Sequence, residues 1–139
     1  MKPAKPKEKE EIHLMKVCPP YQSECCTEYN MADPVVMAGK SYANAFEVGG
    51  SYRVESNFAI YNLNGQYDVI RFEAGHIDGR DMEDTQLSIY LDGELAYVVE
   101  LDGEMLPTEY SFDLKGALQM KLHTDYKGDN YAIANAVLE

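Results

Sequence analysis

His76 and Asp78 stand one residue apart inside the run Gly75-His76-Ile77-Asp78-Gly79. An imidazole and a carboxylate at that spacing, carried on a turn, can donate to and accept from hydroxyl groups. The same turn opens an acidic stretch of Asp78, Asp81, Glu83 and Asp84. Hard oxygen ligands on a loop suit calcium, but the spacing does not follow the EF-hand pattern. The stretch therefore reads as a solvated acidic loop, and no metal is expected. Cys18, Cys25 and Cys26 crowd into one short segment with His13 nearby. Their spacing fits no strong zinc pattern. Cys18 could reach either neighbour across a short loop, and the odd number leaves at least one thiol free. A Gly-rich phosphate loop, a His-Glu-x-x-His helix and a Gly-x-Ser-x-Gly elbow are all missing. Acidic turns alone do not make a glycosidase, which needs two carboxylates held a fixed distance apart in a cleft. The chain is not expected to be an enzyme, and it calls for no cofactor.

The elements that must position these groups read as strands. Residues 67–75 alternate apolar and polar side chains with the period of a half-buried strand, ended by Gly75. Residues 86–91 and 94–101 are β-rich runs joined by Asp92-Gly93, a strong hairpin signal. Residues 110–114 and 118–122 alternate again, and 131–138 close the chain as a last strand. Earlier, 12–17 reads as a first short strand stopped by Pro19-Pro20, and 21–44 as a loop-rich stretch. Residues 51–61 read as a strand with a bulge at Ser56-Asn57, followed by a turn at Asn64-Gly65. Helix signals are weak throughout. Short strands at regular spacing with Gly and Asn turns predict an all-β fold, an antiparallel β-sandwich.

The chain has 139 residues, enough to bury a core without staples, so one domain over 12–139 is expected. Residues 1–11 are rich in Lys, Pro and Glu and read as a disordered or linker segment. They begin basic, but no apolar region follows as in a signal peptide, which leaves a cytoplasmic protein and a segment of something larger both open. No run is long and apolar enough to suggest a membrane span. The net charge of −12 argues against nucleic acid and anionic membrane surfaces as partners.

From Val36 onward the chain resembles the NPCBM/NEW2 family of bacterial modules, related to carbohydrate-binding modules of family 51. The pieces that carry the likeness are Gly39-Lys40-Ser41-Tyr42, the run from Ala59 to Tyr67, and Phe72-Glu73-Ala74-Gly75-His76-Ile77-Asp78-Gly79. Further on, the run from Leu87 to Leu95, Tyr110-Ser111-Phe112-Asp113-Leu114-Lys115-Gly116-Ala117 and the closing strand continue it. The resemblance implies a jelly-roll, galactose-binding-like sandwich with sugars held by loops at one end. It also implies residence in secreted or cell-surface bacterial proteins, within a larger parent. The chain departs from the family pattern near Ala45, around Gly49-Gly50, and at Ala132 and Ile133, where the family carries Asp and Trp.

A sugar site needs an aromatic plane to stack on C–H groups and polar side chains to bond hydroxyls. With the resemblance as guide, the expected site is Tyr42, His76, Asp78, Tyr131 and Asn135, with Tyr126 and Asn130 as further candidates. The expected function is a noncatalytic module that binds a neutral, galactose-type saccharide weakly, since a tyrosine plane buries less apolar area than the missing tryptophan. The alternative is a protein-interaction or spacer module on the same sandwich, because a fold does not fix a function.

Overall fold

The computed structural model describes residues 12–17, 20–53 and 55–139. Among them run β1 (Ile12–His13), β2 (Gln22–Glu24), β3 (Cys26–Tyr29), β4 (Val35–Met37), β5 (Lys40–Tyr42), β6 (Ala45–Val48) and β7 (Phe58–Asn62). They continue with β8 (Val69–His76), β9 (Thr85–Leu91), β10 (Glu94–Leu101), β11 (Thr108–Asp113), β12 (Gln119–His123) and β13 (Tyr131–Leu138). One helical turn, α1 (Leu14–Val17), and one 3-10 helix (Tyr126–Asn130) complete the list.

The strands form an antiparallel β-sandwich. The first sheet has the order β11-β8-β13-β6-β3, and the second β10-β9-β12-β7-β2. β13 pairs with β6 at Ile133 and Ala134, and with β1 at Val137 and Leu138. The period-two pattern explains the core directly. Ile70, Phe72 and Ala74 of β8 point inward and meet Leu87 and Ile89 of β9 and Met120 and Leu122 of β12. Each large side chain buried this way contributes about 1.5–3 kcal/mol. A second, smaller cluster lies outside the first sheet, where the β4–β5 hairpin packs Val35, Met37 and Tyr42 over Ala45, Ile77, Ala132 and Ala134. Alanines at three of those positions leave the space that the hairpin's side chains fill.

The all-β expectation holds, and the later strands lie close to where the alternation put them. The first third differs. Residues 12–17 are a two-residue strand followed by a helical turn, which delivers Leu14, fully buried, into the main core. The stretch 21–44 holds four short strands instead of loop. Among the described residues of 51–61 the strand begins at Phe58, because Asn57 takes φ +80° and its side-chain amide bonds Ser51. Asn57 Oδ1 accepts from the Ser51 amide at 2.8 Å, and Nδ2 donates to the Ser51 carbonyl at 2.9 Å. The expectations for residues 1–11, Cys18 and Val54 lie outside the described residues. Cys25 and Cys26 both carry free thiols.

Candidate functional site

Four crossings between strands gather at one end of the sandwich: 49–57, 77–84, 102–107 and 124–130. The register requires it, since His76 pairs with Tyr131, Ala74 with Thr108, Phe58 with His123 and Thr85 with Leu101. Three glycines let these crossings touch backbone to backbone. A Cβ on Gly49 would lie 2.5 Å from the Asp129 nitrogen, and one on Gly103 2.6 Å from Met82 Cα. A Cβ on Gly128 would overlap Thr124 Oγ1 and the Val48 carbonyl oxygen.

Polar side chains then tie the loops together. Asp125 caps the 3-10 helix by accepting from the Lys127 amide at 2.9 Å, and its Oδ1 also accepts from Thr85 Oγ1 at 2.7 Å. Lys127 Nζ lies 3.8 Å from Asp125 Oδ2. Asp84 accepts from the Gly103 amide at 3.1 Å. Tyr131, only 3% exposed, donates its phenol to the Glu83 carbonyl at 2.7 Å. Burial, joined by the charges of Asp84, Asp102 and Glu83, pushes that phenol up to about 12. His76 stands edge-on to the Tyr131 ring, centroids 5.5 Å apart, and its Nε2 donates to the Asp81 carbonyl at 2.8 Å.

Beside this network a polar groove of about 420 Å³ runs from the loop end onto the outer face of the second sheet. Asp84, Thr124, Asp125 and Lys127 line it from the crossings, and Gln86, Ser88, Glu100 and His123 from β9, β10 and β12. Its volume falls within the range of small-molecule sites. Gln86 Nε2 donates to Glu100 Oε1 at 2.8 Å across the β9–β10 pair. Next to the lining residues Asp125 and Lys127 in the chain, Tyr126 packs against Tyr52 with ring centroids 4.7 Å apart, and Tyr52 is 85% exposed. Hydroxyls, amides and carboxylates around an open groove, with the exposed Tyr52 and half-buried Tyr126 at hand, can hydrogen-bond and stack on a hydroxylated ligand.

Of the five residues expected from the sequence, the structure brings His76 and Tyr131 together at the loop end. The other three have separate tasks. Asp78 clamps the β4–β5 turn, its two carboxylate oxygens accepting from the Ala38 and Gly39 amides, each at 2.8 Å. Tyr42 is 4% exposed beneath that hairpin, where burial and then the charge of Glu73 raise its phenol. Asn135 sits at φ +51° where the β13 register shifts. Its Nδ2 donates to Glu73 Oε2 at 2.8 Å, and it lines a separate cavity of about 150 Å³ with His13, Arg71 and Glu109. Asn130 is buried, and its carbonyl accepts from the Ile77 amide at 2.8 Å. The acidic loop's carboxylates are likewise spread over different partners, with Glu83 Oε2 accepting from the Tyr126 phenol at 3.4 Å. No group of three or more His, Cys, Asp or Glu among the described residues could hold a metal ion.

Sequence reasoning missed Gln86, Ser88, Glu100 and His123. The signal was present for Gln86 and Ser88, which alternate with the buried Leu87 and Ile89 in a run read as a strand.

No family model matches the chain, and no curated protein matches it by sequence. Solved structures do. The chain is similar to the CBM51-2 and INT domains of Clostridium perfringens ZmpB in complex with GlcNAc, with TM-score 0.65 and 17% identity over 93% of this chain and 31% of that one. It is also similar to the CBM51 of Clostridium perfringens GH95 in complex with methyl-galactose, with TM-score 0.63 and 16% identity over 93% and 99% of the two chains. The tandem CBM51 modules of a Streptococcus pneumoniae family 98 glycoside hydrolase give TM-score 0.58 and 11% identity over 76% of this chain and 35% of that one. The chain thus spans about a third of the ZmpB segment and nearly all of the isolated module. Its fold is that of a CBM51-like sandwich.

Proposed function

We propose that the chain is a noncatalytic carbohydrate-binding module of the NPCBM/NEW2 kind, taking a neutral saccharide in the loop-end groove. The observation that carries the reading is the groove itself, an open polar trough beside the Tyr52–Tyr126 pair on a sandwich whose solved likenesses include modules holding GlcNAc and methyl-galactose. Gln86, Glu100, Ser88 and His123 are the groups to bond hydroxyls, and Tyr126 with Tyr52 offers the stacking plane. His76 and Tyr131 back the groove from the loop side and fix the chain around Asp84. Asp84 and Glu100 disfavour sialylated or sulfated ligands, whose charge matches theirs. Because the aromatic plane beside the groove is tyrosine and the groove is open, affinity is weak, near a millimolar dissociation constant or about −4 kcal/mol. The module serves within a larger protein, as the ZmpB and hydrolase modules do.

The test is an NMR titration with galactose, N-acetylgalactosamine, lactose and GlcNAc on the parent, Gln86→Ala and Tyr126→Ala. Shifts in 84–88 and 123–127 that both substitutions weaken are expected. No shifts with any sugar, or shifts indifferent to both substitutions, would replace this reading with a protein-interaction or spacer module.

A further inference from the structure

Two of the crossings are also held by an ion pair in which the Glu47 carboxylate is buried and the Arg80 guanidinium is partly exposed. Glu47 lies on β6, a strand buried at all four of its residues, and is 7% exposed. Its carboxylate accepts from the Tyr29 phenol of β3, and its Oε2 lies 3.7 Å from Arg80 Nη1. Arg80 belongs to the crossing 77–84. Its Nη1 donates to the Asp129 carbonyl in the 3-10 helix at 2.7 Å, and its Nη2 to the Tyr29 phenol oxygen at 3.4 Å. One guanidinium thus bridges Tyr29 of β3, Glu47 of β6, the crossing 77–84 and the 3-10 helix, segments far apart in sequence.

Thermodynamically this is an odd place for a carboxylate. Burial raises the pKa of Glu47, with the Asp129 charge adding to it and the Tyr29 hydrogen bond and Arg80 charge opposing. The folded chain therefore holds this proton more tightly than the unfolded one. The sign follows: stability from this group is full below the ordinary carboxylate value and is lost as pH rises through the folded pKa. Ionised, Glu47 is therefore less stabilising than when protonated, and a neutral amide of the same shape would remove that cost. The charge is kept for what it holds.

We propose that Glu47 and Arg80 are positioning residues for the groove: the Glu47 carboxylate orients Arg80, and Arg80 locks 77–84 against 124–130. Those two crossings deliver Asp84, Asp125 and Lys127 to the groove wall. The lock stands on geometry whatever the groove takes.

The experiment is amide hydrogen exchange on the parent, Glu47→Gln and Arg80→Ala, reading Ile77, which bonds the Asn130 carbonyl, and Gly128, which bonds that of Asp125. Glu47→Gln is expected to melt at or above the parent's temperature while exchange at both amides speeds about tenfold, the loss of one charge-assisted contact. In the parent, intrinsic-rate-corrected protection of the same amides falls as pH drops through the raised Glu47 pKa, and in Glu47→Gln that dependence is absent. Arg80→Ala gives the same local opening without acid. The proposal is overturned if Glu47→Gln fails to fold, if it lowers global stability with exchange rising evenly over the chain, or if Ile77 and Gly128 exchange as in the parent. Exchange needs no sugar, so failure of the lock and failure of the saccharide reading are separate results.

Discussion

The two ends of the sandwich are closed by different means. At the end opposite the groove, turns are short and their glycines serve backbone angle: Gly93 at φ +82° and Gly116 at φ +66° have open space where a Cβ would stand. Those turns are joined by main-chain hydrogen bonds, Leu63 and Asn64 both donating to the Leu118 carbonyl, and by Asp92, which accepts from the Leu118 and Gln119 amides. At the groove end the longer crossings press backbone on backbone, and Gly49, Gly103 and Gly128 serve the absence of a side chain. One end joins its turns through hydrogen bonds; the other presses its crossings backbone on backbone into a single packed unit. A site built from several crossings needs the second kind of end, because its walls come from segments far apart in sequence.

Gly128→Ala should break the comparison most visibly. The new methyl group would meet Thr124 Oγ1 and the Val48 carbonyl, a main-chain atom of β6 that cannot swing aside. Overpacking of this kind costs about 3 kcal/mol. Urea denaturation should show that loss, with NMR shifts spreading through 48–50 and 124–131. A cost below 1 kcal/mol, on the scale of an ordinary surface change, would mean that the crossings separate easily and that the packed-unit description is wrong.

Tyr131→Phe is the next step down. It removes the phenol that reaches the Glu83 carbonyl and leaves that acceptor without its partner, a loss of about 1–2 kcal/mol. The pH dependence sharpens the point. The phenols of Tyr131 and Tyr29 are both raised to about 12 from an ordinary 10.0, by burial first in each case. Their contribution is therefore full below pH 10 and is lost as pH rises toward 12. Denaturation midpoints measured across that window should fall steeply for the parent and less steeply for Tyr131→Phe, with Tyr29 and Tyr42 supplying the remaining slope. Equal slopes would show that Tyr131 ionises freely and is not held at the loop end as described.

The later strands were legible in the sequence, and the parts that were not share a physical cause. Phe72 and Ala74 on β8, and the Asp92-Gly93 hairpin, announce themselves because one face is buried and the turn needs a residue tolerant of positive φ; Ile70 shares that face, although the alternation before it set Val69 as the apolar position. β2 carries no buried residue at all, and the β4–β5 turn is Ala38-Gly39, with Ala38 at φ +50°, so neither alternation nor Asn or Asp marks them. His76 and Tyr131 could be paired by thinking of two strands ending together. Asn135 could not be placed, because the register shift between Ala134 and Val137 is a property of the assembled sheet. Asp78 looked like a ligand-bonding group for the same reason it makes a good clamp: a short carboxylate on a turn bonds whatever amides lie nearest, here those of Ala38 and Gly39.

Gly93→Ala carries the smallest expected effect and sharpens the contrast. Asp92 at φ +50° and Gly93 at φ +82° form the two centre positions of a hairpin turn whose twist matches the strands on either side. Alanine there keeps the left-handed backbone only at a conformational cost, offset in part by the smaller entropy of its unfolded chain. No atom lies within 4 Å of the added Cβ, so no packing penalty follows. The net loss should be about 1 kcal/mol, roughly a third of that for Gly128→Ala, with amide shifts confined to Leu91–Leu95 and to Leu118 and Gln119, which bond Asp92. Thr85 and Leu101, at the groove end of the same two strands, should be undisturbed, because the register from Tyr97 to Leu101 is set by the pairing itself. A loss equal to that of Gly128→Ala, or shifts reaching Thr85, would show that the two ends are coupled through the β9–β10 pair and do not fold by separate means.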